Sequence, residues 1–169
     1  MRIRILLTGG TIDKLYSVEE GALTFGESHI DGMLDRANVT ADVVVEELML
    51  KDSLDIDDEE REQILEACEA CDEECVLITH GTDTMVETAG LLGEAGLDKT
   101  IVLVGAMIPY SVHESDAFFN LGFALSAVQL APGGVYIAMN GELFDWDNVR
   151  KNYDEGRFEA VEQWAGAEE

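Results

Sequence analysis

Short apolar runs recur along the chain, and each of the first four is followed by a polar or glycine-rich turn and later by a segment with helical spacing. Near-continuous apolar runs are typical of parallel strands that are covered on both faces. Strands that alternate with helices predict a doubly wound α/β fold, with a mostly parallel sheet and right-handed crossovers. The predicted strands are 2–8, 42–49, 76–78, 100–104 and 135–139, and the predicted helices are 29–37, 57–71, 85–96 and 115–130.

Three segments lie outside this alternation. Residues 13–28 contain two glycines, several acids and no clear period, which predicts a mobile loop that could cover a site as a lid. The Asn140-Gly141 pair predicts a short hairpin that extends through Phe144. The polar tail around Trp164 predicts a small final helix.

The chain has 169 residues, which suits one domain spanning 1–169. It carries 36 acidic and 10 basic residues, for a net charge of -26. Such a charge repels nucleic-acid phosphates and acidic lipid surfaces, so it excludes nucleic acid and membrane as expected partners. Acids spread over most segments, with only four lysines among the cations, favour a halophilic-type protein that works in concentrated salt, although an ordinary acidic protein is the alternative.

Two further features bear on the location of the protein and on metal binding by its cysteines. The apolar start is shorter than a signal peptide needs, and no run approaches the roughly 20 residues of a membrane span, so we expect a cytoplasmic protein. Cys68, Cys71 and Cys75 are clustered, but tetrahedral zinc would need a fourth ligand, and no nearby histidine has the required spacing. Core packing is therefore the favoured interpretation of the cysteines, with metal binding or redox chemistry as the alternatives.

Polar residues collect in four turns that follow predicted strands. They are Thr11 in the 8–12 turn, Ser53 in the 51–55 turn, Thr82 and Asp83 in the 78–84 turn, and the 105–111 turn that contains Ala106. Because parallel strands end at one edge of the sheet, these turns are expected to converge on a ligand site. A capping role is the alternative for the 78–84 turn, since one of its polar residues could open the next helix with a capping box.

The residue types in these turns suit attack on an acyl group. A threonine hydroxyl is a weak nucleophile at neutral pH and needs a base that removes its proton, while the carbonyl under attack needs donors for its oxyanion. Thr11 and Thr82 offer hydroxyls, Asp83 a carboxylate and Lys151 a possible base. A lysine serves as a base only where burial or a nearby cation lowers its pKa, and an adjoining carboxylate alone would raise that pKa.

Three stretches make the sequence resemble the L-asparaginase and glutaminase-asparaginase family. They are Thr8-Gly9-Gly10-Thr11-Ile12, Ile78-Thr79-His80-Gly81-Thr82-Asp83-Thr84-Met85, and Val104-Gly105-Ala106-Met107 with Pro109. The resemblance continues through about Lys151 and implies the α/β fold of that family's N-terminal domain. It also implies hydrolysis of a side-chain amide, that of asparagine or of glutamine, through a threonine acyl-enzyme, with release of ammonia and without metal or cofactor.

The resemblance assigns roles to individual residues. Thr11 matches the family's first nucleophilic threonine, and Thr82, Asp83 and Lys151 match its second threonine, acid and lysine. Asp83 would also hold the substrate's α-amino group, and Ser53 its α-carboxylate. Main-chain groups at Gly10, Gly81 and Ala106 would line the substrate. Two alternatives stay open: Ser53 as a helix-entry hydroxyl and Lys151 as a surface lysine.

The chain departs from the family at several points. Leu23 stands where the mobile loop usually has a tyrosine, so Tyr16 in the same loop is the predicted substitute. Leu54 follows Ser53 where a polar residue is common, which would weaken binding of the carboxylate. The family's C-terminal domain, which closes the site of a neighbouring subunit, has no counterpart in residues 1–169, and we therefore expect a homo-oligomer.

Two other functions compete with an amidohydrolase that acts alone. One is an amidase subunit that needs a partner chain, as in transfer-RNA-dependent amidation. The other is an amino-acid-binding module that keeps the pocket without hydrolysis.

Overall fold

A computed structural model describes residues 1–161. In chain order the elements are β1 (Arg2–Gly9), a 3-10 turn (Thr11–Asp13), β2 (Lys14–Ser17), β3 (Ala22–Phe25), α1 (Ile30–Arg36), β4 (Asp42–Lys51), a second 3-10 turn (Ser53–Asp55), α2 (Asp58–Ala70), β5 (Cys75–Thr79), α3 (Met85–Ala95), β6 (Thr100–Val104), α4 (Ala117–Leu130), β7 (Gly134–Met139), β8 (Glu142–Asp145), β9 (Arg150–Asn152) and β10 (Arg157–Glu159).

The main sheet has six strands in the order β4-β1-β5-β6-β7-β8. The first five are parallel and β8 pairs antiparallel with β7. All residues of the central strands β5 and β6 are buried, because helices cover both faces of the sheet. The predicted doubly wound, mostly parallel α/β fold is therefore confirmed.

Two apolar cores lie on the two faces of the sheet. Along β1, Ile5 and Leu7 enter the core beneath α1 and α4, while Leu6 between them enters the core beneath α2 and α3. Successive residues of a strand point to opposite faces, so a continuous apolar run supplies both cores. This is the physical reason why these strands lack alternation in the sequence.

The helix starts differ from the sequence prediction. α2 begins with a complete capping box, in which the Asp57 side chain accepts from the Glu60 amide and the Glu60 side chain accepts from the Asp57 amide. α3 begins after Thr84 without any side-chain cap, so the capping box predicted for the 78–84 turn is wrong. The Thr84 hydroxyl instead donates to the Ser53 carbonyl at 2.8 Å, so it serves the contact between two turns.

Residues 13–28 were predicted to be a mobile loop without regular structure; the lack of regular structure is wrong, while the mobility and the role as a lid stay predictions. The segment contains an antiparallel hairpin, β2–β3, with Lys14 opposite Phe25 and Tyr16 opposite Leu23. Asp13 closes the hairpin at its base, since its carboxylate accepts from the Ser28 hydroxyl at 2.8 Å and from the His29 amide at 2.9 Å. Long-range closure of this kind leaves no periodic signal in a short sequence window.

The end of the described chain forms two further hairpins. Asn140 and Gly141 both have positive φ, at 59° and 80°, as a tight hairpin turn between right-twisted strands requires. This confirms the predicted hairpin, which becomes β7–β8. β9 pairs with β10 in a separate two-stranded sheet. The predicted helix near Trp164 lies outside the described residues, and within 1–161 no helix is long and apolar enough to cross a bilayer.

Candidate active site

The candidate site lies where the order of the strands reverses. β1 has β4, the next strand of the main sheet in sequence, on one side and β5 on the other, so the chain leaves its carboxyl end in two directions. This switch point is where open α/β sheets bind ligands. The 8–12 turn follows β1 and the 78–84 turn follows β5, so both lie at this position.

Glycines bring three of the turns into backbone contact. Gly10 has a φ of 83°, and a Cβ atom at this position would lie 2.3 Å from the Gly81 nitrogen. A Cβ atom on Gly81 would lie 2.6 Å from the Ser53 hydroxyl oxygen. Real Cβ atoms do not make such contacts, so glycine is required at both positions for the 8–12, 51–55 and 78–84 turns to meet.

The fourth turn packs against the same group. A Cβ atom on Gly105 would lie 2.4 Å from the His80 carbonyl oxygen, and Ala106 beside it is fully buried. The Asp116 carboxylate accepts from the amides of Met107 and Ile108, and the Asn120 side chain donates to the Gly105 carbonyl at 3.1 Å. α4 therefore fixes the backbone on which Ala106 lies.

Lys151 makes the central polar contacts of the site. Its Nζ donates to the Thr82 hydroxyl at 2.8 Å and to an Asp83 carboxylate oxygen at 2.6 Å. Thr82 is buried, and the Lys151 side chain is 13% exposed. In its ammonium form the lysine holds both partners by hydrogen bonds, and in its amine form it can take the threonine proton. A hydroxyl, a carboxylate and a lysine are thus joined within one hydrogen-bonded group.

The β9–β10 hairpin positions Lys151. Lys151 lies opposite Phe158, whose buried ring joins the core beneath α2 and α3 together with Val149. The Phe158 amide donates to the Asn140 side chain at 2.9 Å, which ties this hairpin to the β7–β8 turn. Lys151 is therefore held by a packed element and is not a surface lysine.

Thr11 and Ser53 differ in their surroundings. Thr11 opens the 3-10 turn after β1, is half-buried, and its hydroxyl has no hydrogen-bond partner among residues 1–161. Ser53 is 1% exposed, and its hydroxyl accepts weakly from the Thr84 amide at 3.4 Å. The Thr11 hydroxyl is thus free to meet a ligand, while the Ser53 hydroxyl is fixed at the floor of the site.

His80 is structural in this geometry. It is fully buried, its Nδ1 donates to the Gly81 carbonyl at 2.8 Å, and its Nε2 accepts from the Thr88 hydroxyl at 2.8 Å. Burial lowers its pKa to about 4, so the ring is neutral near pH 7. A neutral ring with both nitrogens occupied fixes the 78–84 turn but offers no proton exchange there.

Two tyrosines are candidates for the role that the family resemblance assigns to a loop tyrosine. Tyr16 lies on β2 and is 59% exposed. The sequence interpretation did not select Tyr153, whose ring centroid lies 4.7 Å from the Lys151 ammonium. Partial burial and the neighbouring Asp83 carboxylate both raise the pKa of Tyr153. Its spacing of two residues from Lys151 was the only sequence signal for a common face.

Sequence reasoning also missed an ion pair beside Ser53. Lys14, the first residue of β2, pairs with Asp52, whose other oxygen accepts from the Leu54 amide at 3.1 Å. The Lys14 hydrogen bond is the main cause of the lowered pKa of Asp52, and the positive charge of Lys151 adds to the effect. Leu54 itself is 70% exposed. An ion pair therefore lies directly beside Ser53 in the 51–55 turn, which is called the serine turn below.

The three cysteines are divided between the two faces of the sheet, with Cys71 packed against the same core as Cys68. Cys68 lies in the core beneath α2 and α3, and Cys75 lies in the opposite core, which confirms their packing role. Burial raises the pKa of Cys68 to about 12, so this thiol stays protonated. Within residues 1–161 no group of three or more histidine, cysteine or acidic side chains could hold a metal ion.

The fold and the site together define a class of protein. It is a doubly wound α/β protein that presents a free threonine hydroxyl near a hydroxyl–lysine–carboxylate group at the switch point, an arrangement suited to acyl transfer. The sequence model of the family described as asparaginase, N-terminal, matches residues 2–164 of this chain. The chain therefore belongs to the asparaginase family.

Individual relatives agree with this assignment. A probable periplasmic L-asparaginase of Haemophilus influenzae is 35% identical, over 88% of this chain and 46% of its own. A glutamyl-tRNA(Gln) amidotransferase subunit of Methanococcus vannielii is 31% identical, over 85% of this chain and 35% of its own. The solved thermostable L-asparaginase of Thermococcus kodakarensis is 27% identical with a TM-score of 0.84, over 95% of this chain and 51% of its own. The chain spans about half the length, or less, of these proteins.

Proposed function

We propose that this protein is an L-asparaginase-like amidohydrolase, which converts L-asparagine and water to L-aspartate and ammonia. The observation that carries the proposal is the bonded group of Thr82, Asp83 and Lys151, which lies beside a turn that presents the free Thr11 hydroxyl. Membership of the asparaginase family supports the same chemistry.

The proposed mechanism uses Thr11 as the nucleophile. Its oxygen attacks the carboxamide carbon, and its proton passes through the Thr82–Lys151 pair to the leaving nitrogen, so that ammonia departs and an ester forms on Thr11. Water then attacks the ester carbon, and its proton returns to the Thr11 oxygen as L-aspartate is released. In each step the Thr82–Lys151 pair accepts one proton and gives it up again, so the pair ends the cycle unchanged.

Other groups bind the substrate in this proposal. Ser53 holds the α-carboxylate and Asp83 the α-amino group. Main-chain groups at Gly10, Gly81 and Ala106 line the amide, where fixed donors can stabilise the developing oxyanion.

Two hydroxyl deletions test the mechanism by ammonia release from L-asparagine. Thr11→Ala removes the nucleophile, and Thr82→Val removes a hydroxyl at nearly constant volume, so we expect each to lower kcat by at least about 10²-fold. Thr40→Val is a matched control, because Thr40 is exposed near the far end of β4. Undiminished turnover in both site variants would remove the mechanism.

A second candidate function has one specific observation in its favour. The chain is 31% identical to an archaeal amidotransferase subunit, which supports an amidase subunit that works with a partner chain. Such a subunit would be inactive alone and would regain ammonia release with a co-purified partner. Tight calorimetric binding of L-aspartate without ammonia formation from L-asparagine would instead support a binding module.

Several properties stay proposals alongside the activity. We place the protein in the cytoplasm, as a homo-oligomer that works in concentrated salt and in which residues 1–169 act as one unit. The location can be checked by fractionation of cells. Self-association and the salt requirement are argued in the Discussion, each with its own measurement.

A further inference from the structure

Lys14 lies where the hairpin β2–β3 meets the candidate site. It follows Thr11 by three positions and pairs with Asp52, the residue directly before Ser53. Its side chain is 19% exposed, and its carbonyl accepts from the Ser111 hydroxyl at 2.9 Å. Lys14 is therefore anchored between the serine turn and the 105–111 turn, with its ammonium on the serine side.

A zwitterionic substrate needs binding groups for both its α-amino group and its α-carboxylate, and the residues at Ser53 and Asp83 serve the two unequally. The Asp83 carboxylate can bind an α-amino group through opposite charge. For the α-carboxylate, the Ser53 hydroxyl is an uncharged donor, and the next residue, Leu54, is apolar and exposed and adds no donor from its side chain. The chain as a whole carries a charge of -26, which opposes the approach of any carboxylate. A cation close to Ser53 would therefore favour binding of that carboxylate.

Lys14 has donors to spare for this purpose. A lysine ammonium has three N–H donors, and Asp52 is its only hydrogen-bond acceptor among residues 1–161. Lys151, the other cation near Asp52, is already bonded to Thr82 and Asp83. Among residues 1–161, Lys14 thus keeps two unused donors beside the 51–55 turn, while Lys151 keeps one and is held at Thr82 and Asp83.

We propose that Lys14 determines specificity by binding the α-carboxylate of the substrate next to Ser53. This proposal rests on the proposed function and names the substrate class more closely: an amino acid with a side-chain amide and a free α-carboxylate. Asp52 holds the ammonium in place before the substrate arrives, and the substrate carboxylate shares it afterwards.

The competing interpretation is that the Lys14–Asp52 pair only fastens the hairpin to the serine turn. The two interpretations differ for Asp52→Asn, which removes the partner but keeps the lysine. A fastening role predicts equal damage from Lys14→Met and Asp52→Asn. The binding role predicts that Asp52→Asn keeps the preference for a free carboxylate and that Lys14→Met loses it.

The experiment compares L-asparagine with L-asparaginamide, in which a neutral amide replaces the α-carboxylate, with ammonia as the readout for both. We expect Lys14→Met to raise KM for L-asparagine about 10-fold to 100-fold, since hydrogen bonds to charged groups are the strong ones, while kcat changes little. KM for L-asparaginamide should change by no more than about 3-fold on the same reasoning. Lys14→Arg, which keeps the charge, should retain most of the preference.

Lys51→Met is the matched control. Lys51 also ends in an ion pair, with Glu60, and lies at the end of β4 close to the site, so its removal changes the net charge equally. The ratio of kcat/KM for the two substrates should stay at the wild-type value in this control and fall in Lys14→Met. Thermal unfolding of each variant reports separately on damage to the fold.

The outcomes separate the two proposals. If the wild type hydrolyses L-asparagine and Lys14→Met keeps the wild-type ratio between the substrates, the role of Lys14 is overturned and the proposed function stands. If Asp52→Asn loses the preference as fully as Lys14→Met does, the pair is a fastener. A wild-type protein that hydrolyses neither substrate overturns the proposed function and this inference together.

Discussion

At the scale of single residues, His80 has the most strongly shifted titration in the site. Its pKa falls from the ordinary 6.5 to about 4 because burial disfavours the charged ring, while the hydrogen bond to the Gly81 carbonyl acts in the opposite direction. The folded state therefore resists a proton that the unfolded chain takes up readily. His80 contributes stability that is fully present above pH 6.5 and is lost as the pH falls toward 4.

This sign gives a pH prediction. The free energy of unfolding should decline as the pH falls from 6.5 to 5, by at most about 1.4 kcal/mol per pH unit from this one proton. His80→Gln should be less stable at pH 7, because it loses the paired hydrogen bonds, but its decline over this interval should be shallower. Urea unfolding at several pH values measures both effects.

His113→Gln is the control for that experiment. His113 is exposed, with its side chain 94% accessible, so its replacement should leave the slope unchanged. If the free energy of unfolding falls equally steeply with pH in the wild type and in His80→Gln, protonation of His80 is not the cause of the decline.

The individual residues also show where local sequence information ends. Thr82 and Asp83 could be selected because they follow a buried strand inside a characteristic motif. Tyr153 and Lys14 lack such a motif, and they were found only from the contact of Tyr153 with Lys151 and of Lys14 with Asp52. Tyr16 stays a prediction from its place in the expected loop, whereas the contact of Tyr153 with Lys151 is visible only in the structure.

At the scale of secondary-structure elements, α4 differs from the rest of the chain. The helix spans Ala117–Leu130 and has no charged residue, although 27% of all residues are charged. Its inner side is buried in the core beneath α1 and α4, but Phe119 is 63% and Leu130 80% exposed. Two chains of charge -26 repel each other strongly elsewhere, so a charge-free face is where a second copy can pack.

We therefore expect copies of the chain to associate through the outer face of α4. Phe119→Glu places a charge on this face and should shift the protein to a smaller species in sedimentation velocity. Val18→Glu is a comparable control, since Val18 is 85% exposed on the β2–β3 hairpin. If Phe119→Glu, Val18→Glu and the wild type sediment equally, α4 is excluded as the contact between copies.

Elements were predictable where the signal was local. The buried strands, the four helices and the Asn140-Gly141 hairpin follow from runs, spacing and turn residues within a few positions. The β2–β3 hairpin was missed because Asp13 and the pair Ser28 and His29 close it across a polar stretch without alternation. The cap of α3 was wrong because Thr84 is engaged by Ser53, a residue 31 positions away.

At the scale of the whole molecule, charge dominates the surface. Ten cations face 36 acids, and even the ion pairs that form, such as Arg4 with Glu46 and Glu73, leave the excess unbalanced. Repulsion among exposed charges acts over about 10 Å at 0.1 M salt but only about 3 Å at 1 M. The folded state, which holds these charges closest together, should gain most from screening.

The resulting prediction concerns stability in salt. The urea midpoint should rise as potassium chloride increases from about 0.1 to about 2 M, because screening weakens the repulsion that opposes folding. A variant with Glu59, Glu62 and Glu66 on the exposed side of α2 changed to glutamine should be more stable at low salt and less sensitive to added salt. A wild-type midpoint that does not change with salt would identify an ordinary acidic protein.

The sequence by itself determined the class of the fold, the order of its elements and the turns in which the chemistry lies. These properties depend on apolar runs, glycines and polar residues that act on their immediate neighbours, so a single chain displays them. The tertiary structure decided how Lys151, grouped with Asp83 only through the family resemblance, reaches that residue across 68 positions, and it alone paired Lys14 with Asp52 across 38. Such contacts depend on where the packed hairpins and crossovers place each side chain, and short-range pattern has no means of encoding that distance.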